Sequence, residues 1–256
     1  MKITKIESIF VGATTPGIGL LSNRNYHYVR VHTDEGITGL GEATLESHDH
    51  AVAGVLKDLE CLVIGEDPTR IEYLTQKMIR QLFWKGGVIK GSAIAGIELA
   101  LWDILGKVSN LPVYKLIGGA CRNKMRVYVN GWSGGLLDPA VVREKAQIAM
   151  AAGYDAFKFS LALPVWALND PVNLRKIEKV ASTIRDTVGP DAMLMYDGHG
   201  RYDADFAIRI GRILEELDFT FFEEPCQPED EEGLAKVAAR LDLPVATGDQ
   251  IGRAHV

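Results

Sequence analysis

Three short apolar runs, each ending in an acid, recur at a fixed interval in the second half of the chain. They end at Asp197, Glu223 and Asp249, and both steps are 26 residues. That interval holds one short strand, a turn, one amphipathic helix and a return loop. Strands joined through a helix pair in parallel, because an antiparallel hairpin has no place for one. The interval therefore confines this half of the chain to a wound α/β architecture, with the three acids at equivalent heights on neighbouring strands. The same rhythm starts earlier. MRVYVNGW reads as a strand and 139–152 as a helix. AFKFS and 172–188 follow, then AMLMYD and 203–217, then FTFFEE and 229–239, and finally PVATGD. The strands are nearly continuous apolar runs, as expected of strands covered on both faces. A doubly wound sheet and a TIM-type barrel both fit five strands alternating with four helices. No glycine-rich phosphate loop follows the first strand, which counts against a dinucleotide-binding sheet.

The first 120 residues have a different grammar. MKITKIESIFVG alternates apolar and polar positions, and NYHYVRVHTDEGITGLGEA reads as a hairpin turning at Thr33-Asp34-Glu35-Gly36. TTPGIGLLSNRN between them is a loop rich in Gly, Pro and Asn. Helical patterns cover 50–63, 67–84 (opened by Asp67-Pro68) and 92–108, where Ile94, Ile97, Leu101, Ile104 and Leu105 recur at helical spacing. The expected division is an α+β unit over 1–120 and an α/β unit over 121–250.

Composition narrows the partners. The 256 residues carry 28 Lys and Arg against 34 Asp and Glu, a net charge of −6 without a basic cluster. Nucleic acid and anionic membrane surfaces are therefore not expected partners. The N-terminus lacks a long apolar stretch, so a cytoplasmic protein is expected. Cys61, Cys121 and Cys226 are widely spaced and read as reduced, mostly structural thiols.

The polar residues of the α/β half gather at the carboxyl ends of its strands, the end that faces the active site in a parallel barrel. Asp197, Glu223 and Asp249 would repel one another unless a cation joined them, and an all-oxygen set suits Mg²⁺. A single acid ending a strand is commonly a helix cap or a solvated loop residue, but three in even register favour one shared site. Glu224 alternates to the opposite face from Glu223 and reads as a buried partner behind the site. Lys158 lies on the AFKFS strand, and His199 follows Asp197 by two positions.

These residues, with MKITKI, TDEGITGLGEA, GEDPTRI, SAIAGIELALWDILGK, LPVYKLIGG, YDGHGR, EEP and ATGD in order, resemble the enolase superfamily in its mandelate racemase-like branch. They are most similar to its galactonate dehydratase-type acid-sugar dehydratases. The resemblance implies an α+β capping domain on a (β/α)7β barrel, of which about five strands are present. It implies Mg²⁺ ligands at Asp197, Glu223 and Asp249, where the family's third ligand is more often Glu. It implies His199 as the acid that protonates a departing hydroxyl, with the metal binding the substrate carboxylate and stabilising the enediolate. The substrate would be a sugar acid, converted to a 2-keto-3-deoxy acid, and the full-length protein a homo-oligomer. A racemase or epimerase of the same superfamily is the alternative. Its Lys-x-Lys pair is Lys158 followed by Ser160 here, and serine is a poor base for a carbon acid. Lys158 remains a catalytic candidate through contact with substrate or a ligand carboxylate. Loops at 16–25 and 46–50 would close over the barrel mouth, with Asn23, Arg24, His48 and His50 as polar candidates and Arg201, Trp132 and Tyr202 near the mouth. Trp102 and Asp103 read as interface packing.

The resemblance also implies strands six to eight and an Asp-His dyad whose histidine takes the α-proton. Neither has a counterpart here, and an inactive truncated fragment is the third reading. IGRAHV is what ATC GGA AGA GCA CAC GTC encodes, a string like a sequencing-library adapter, so 251–256 are expected to be an artefact.

Overall fold

The computed structural model describes residues 1–14, 23–81, 83–84, 86–161, 163 and 170–248. Asp249, most of the 16–25 loop and 251–256 therefore lie outside the described residues, as do the side chains of Asn23 and Arg24. The chain divides into two compact units, one over Met1–Asn123 and one over Lys124–Asp249.

In the first unit, β1 (Ile3–Thr14), β2 (Asn23–Thr33) and β3 (Thr38–Glu42) form an antiparallel sheet in sequence order. Asn25, expected in a loop, is already paired with Gly12 in that sheet. The turn at 33–36 closes the β2–β3 hairpin, with Gly36 at φ 78° and its N–H donating to the Thr33 carbonyl. Helices α1 (Asp49–Val63), α2 (Ile71–Arg80), α3 (Gly87–Ser109) and the single turn α4 (Val113–Leu116) complete the unit. The Asp67 cap does not open α2 as expected. Its carboxylate takes the N–H and hydroxyl of Thr69 instead, so 67–70 form a turn and the helix starts four residues later. In contrast, α3 starts five residues before the expected position 92.

The seam between α3 and β3 is made by main chain. A Cβ added at Gly39 would lie 1.9 Å from the Ala100 carbonyl oxygen, and one at Gly41 2.0 Å from that of Gly96. Ile94, Ile97, Leu101 and Ile104 are buried behind this seam with Val29, Val31, Leu56 and Leu59. Asp103 ties α3 to the sheet by accepting from the Leu40 N–H at 2.8 Å and from Lys107.

In the second unit β4 (Ala156–Phe159), β5 (Met193–Asp197), β6 (Phe221–Glu223) and β7 (Val245–Ala246) form a parallel sheet in sequence order. Helices α5 (Pro139–Ala151), α6 (Pro171–Val188), α7 (Ala204–Glu216) and α8 (Glu231–Ala238) alternate with them, and each packs against the next. A doubly wound sheet reverses its strand order at a switch point. This one does not, which selects barrel-type winding. All four helices are capped by the aspartate before them: Asp138, Asp170, Asp203 and Asp230. The expected strand at MRVYVNGW is not regular. Only Val129 bridges to Phe157, and Met125 and Val127 are exposed. This segment lies at the edge of the sheet, so half of its backbone groups have no strand to pair with.

At the opposite end of the unit, Arg185 closes the loops. Its guanidinium donates to the carbonyls of Leu217, Gly189, Ala192 and Asp218 at 2.7–2.9 Å. The three cysteines are free. Only Cys226 is buried, and burial pushes its thiol up to about 11; Cys61 and Cys121 are exposed, against the expectation of mostly structural thiols. No helix among the described residues is long and apolar enough to cross a membrane.

Two predictions follow from the first unit. Gly41→Ala would force β3 away from α3 and destabilise the chain by about 3 kcal/mol or more, read by chemical denaturation. The second concerns His27, which is wholly buried with its Nε2 3.1 Å from the Ser8 hydroxyl. Burial lowers its pKa against the pull of Asp49. The unfolded chain therefore takes up this proton at higher pH than the folded one, and stability falls as pH drops below the ordinary histidine value. The unfolding midpoint should decline between about pH 7 and 5, with His27→Gln removing that part of the decline.

Candidate active site

Strand alternation builds the site. On β4, Phe157 and Phe159 enter the core with Tyr196, Phe206 and Phe222, so Lys158 between them points to the opposite face. Asp197 and Glu223 are direct partners in the β5–β6 register, and their side chains therefore leave the same face side by side. Lys158 pairs with Met195, one alternation lower, and its long stem reaches both acids. Its Nζ donates to Asp197 Oδ2 at 3.0 Å and to Glu223 Oε1 at 2.6 Å. The side chains are 7%, 4% and 13% exposed, so these charges meet in a largely dry environment.

His199 joins from the loop after β5. Its Nε2 lies 3.1 Å from Asp197 Oδ2, and its N–H donates to Asp197 Oδ1 at 2.9 Å. The residue adopts φ 51°, a left-handed conformation that the two contacts to Asp197 hold in place. Burial works against the charge on Asp197, but the hydrogen bonds and charge of His199, with Lys158, outweigh it and hold the carboxyl below its usual range. Burial likewise opposes the charge on Lys158, and its bonds to Glu223 and Asp197 outweigh that and raise its pKa.

The structure thus brings Asp197, Glu223, Lys158 and His199 together. Arg201 stands at the same end and donates to the Leu161 carbonyl at 3.3 Å. Glu224 turns away to Thr247 and Gly248. Tyr202, expected near the mouth, is buried with its hydroxyl 2.7 Å from that of Tyr196, because it covers the core behind β5. Trp132 donates its indole N–H to the Lys158 carbonyl at 3.0 Å. His48 and Asn23 belong to the first unit. His48 is exposed at the start of α1, with Nδ1 3.0 Å from the Glu46 carbonyl oxygen. Sequence reasoning missed Tyr128, whose ring centroid is 5.7 Å from Lys158 Nζ. Nothing in its neighbourhood marked it, because the contact follows from an edge segment that is not a regular strand. It also missed Thr247, for which the ATGD motif was the available signal.

Two carboxylates that converge on one point of positive charge, both presenting oxygen, fit a hard divalent cation. No group of three His, Cys, Asp or Glu side chains is assembled among the described residues. The third donor expected from sequence, Asp249, lies outside them.

A consecutively wound parallel sheet with acids, a lysine and a histidine at its carboxyl rim defines a barrel-type α/β protein with a polar site at the functional end. Residues 12–118 match the mandelate racemase / muconate lactonizing enzyme N-terminal domain, and residues 141–255 match the enolase C-terminal domain-like family. The chain belongs to the enolase superfamily, in its mandelate racemase / muconate lactonizing enzyme branch. A D-galactonate dehydratase of Ralstonia pickettii is 38% identical over 224 residues, covering 88% of this chain and 58% of that protein. A solved enolase superfamily member from Salmonella Typhimurium is 32% identical with a TM-score of 0.87, covering 97% of this chain and 68% of that one. A mandelate racemase/muconate lactonizing enzyme structure from Jannaschia sp. CCS1 is 31% identical with a TM-score of 0.88, covering 98% and 68%. The chain spans less than two thirds of the length of the curated relative.

Lys158→Met should leave two buried acids without their cation and cost about 3–5 kcal/mol in denaturant titrations with EDTA present. Added Mg²⁺ should recover part of that loss in the variant.

Proposed function

We propose that this chain carries the metal-binding and acid-bearing part of a Mg²⁺-dependent acid-sugar dehydratase acting on an aldonate such as D-galactonate. The observation that carries the reading is the register of Asp197 with Glu223, with His199 in contact with Asp197. Asp197, Glu223 and Asp249 would hold the ion. When bound, the ion supplies positive charge against the substrate carboxylate as the α-proton leaves.

The remaining steps belong to side chains. Lys158 is held charged by two carboxylates, so it serves as a donor and an electrostatic anchor, not as the base. Ser160, two residues on, has no basicity to replace it. His199 is 41% exposed in its side chain, against 4% for Asp197, so it is the member of the group that a substrate can reach. Asp197 orients the ring through its contact with Nε2. A base that the described residues do not assign takes the C2 proton, and the electron pair of that bond is held in the substrate's carboxyl group. The pair returns to form C2=C3 as the C3–O bond breaks, and the departing hydroxide takes the His199 proton and leaves as water. The enol tautomerises to the 2-keto-3-deoxy acid. The dehydratase relatives support this reaction class, and Arg201 is the proposed contact to the distal hydroxyls. A cytoplasmic homo-oligomer suits such an enzyme of sugar-acid catabolism.

The test is an assay of the gene product with D-galactonate and its stereoisomers in Mg²⁺, following 2-keto-3-deoxy acid. His199→Asn should lower elimination by about a hundredfold or more. Activity equal to the parent in that variant overturns the assignment of the acid. Deuterium entering the α-position from solvent without loss of water would point instead to a racemase or epimerase.

A further inference from the structure

The carboxyl ends of β5, β6 and β7 are held together by one residue that the reaction itself does not use. Glu224 is 4% exposed, and its carboxylate accepts the Gly248 N–H at 2.6 Å. The same carboxylate takes the Thr247 hydroxyl, shared between its two oxygens at 3.1 and 3.2 Å. Its own N–H donates to the Ala246 carbonyl at 2.9 Å, and its carbonyl accepts the Gly200 N–H at 2.7 Å. One residue is thus bonded to the loop that follows β5 on one side and to the end of β7 on the other.

The backbone is shaped for this role. Glu224 adopts φ 41°, a left-handed conformation that is costly for a residue with a full side chain and persists only where its surroundings enforce it. A Cβ added at Gly198 would lie 2.7 Å from the Glu224 carbonyl oxygen, so the β5 loop is seated directly on this residue. Along the chain, His199 immediately precedes Gly200, and Glu223 immediately precedes Glu224.

We propose that Glu224 is a positioning residue that locks these three strand ends into one rim and thereby sets the placement of His199 and Glu223. The consequence for the cation rests on the metal reading above; the lock itself rests on the bonds just described. Partners behind a metal site commonly contribute about ten- to a hundredfold to its affinity by orienting the ligands.

The experiment uses the whole chain and two variants. Glu224→Gln keeps the shape of the side chain and removes one acceptor, and Thr247→Val removes only the hydroxyl. Hydrogen–deuterium exchange over 245–249, Mg²⁺ affinity by calorimetry and the unfolding midpoint in EDTA are measured on each. Glu224→Gln should speed exchange over 245–249 and weaken Mg²⁺ binding about tenfold or more, with Thr247→Val moving both in the same direction by less. The EDTA midpoint should change little, which separates local positioning from global stability. Exchange and affinity within about twofold of the parent in the folded variants would overturn the proposal. If Glu224→Gln does not fold, Thr247→Val decides. A parent chain that binds no Mg²⁺ overturns the metal reading, and the exchange result then decides the lock alone.

Discussion

The second unit is organised around one ammonium group held between two carboxylates. Lys158, Asp197 and Glu223 come from three neighbouring strands, and each would be expensive to bury alone. Together they satisfy one another only if the strands keep their register, because a slip by one residue would turn the acids into the helix layer. The polar rim therefore depends on the packed layer beneath it. Phe157, Phe159, Tyr196 and Phe222 fix that layer and so fix the heights of the acids.

The same dependence explains where the backbone leaves its ordinary regions. His199 and Glu224 are left-handed, and both lie at the rim, each held by hydrogen bonds to a neighbouring strand end or acid. The opposite end of the unit is treated differently. There Arg185 binds loop carbonyls from two connections, an arrangement that uses a charged side chain purely as a hydrogen-bond donor. Asp218, whose carbonyl accepts from Arg185, is left-handed there too at φ 53°, so both ends carry backbone strain, but only the rim sets it beside chemistry.

Much of this was legible in the sequence. The 26-residue interval gave the parallel winding and the equivalence of Asp197 and Glu223, because a repeat length is a geometric statement. The alternation of β4 placed Lys158 opposite its phenylalanines. Other features were not legible, for identifiable reasons. The Asp67 cap was misread because an aspartate before a proline serves a turn as readily as a helix, and only Thr69 decides. The MRVYVNGW pattern is apolar enough for a strand, but a pattern does not reveal whether a partner lies alongside. Whether Tyr202 points to a site or a core depended on the Tyr196 hydroxyl, a contact between elements that no local pattern encodes.

The seam between β3 and α3 has a bearing on how this protein can vary. Gly39 and Gly41 meet the carbonyls of Ala100 and Gly96 without an intervening side chain. Most packed surfaces can be retuned by exchanging one apolar residue for another. A contact made of peptide groups offers no such alphabet, and drift at these positions is closed off. Novelty in the first unit is channelled to the connections around the sheet, where length and composition are free to change while the frame that carries them stays the same. A scaffold with an immutable joint of this kind is well suited to diversification at its periphery.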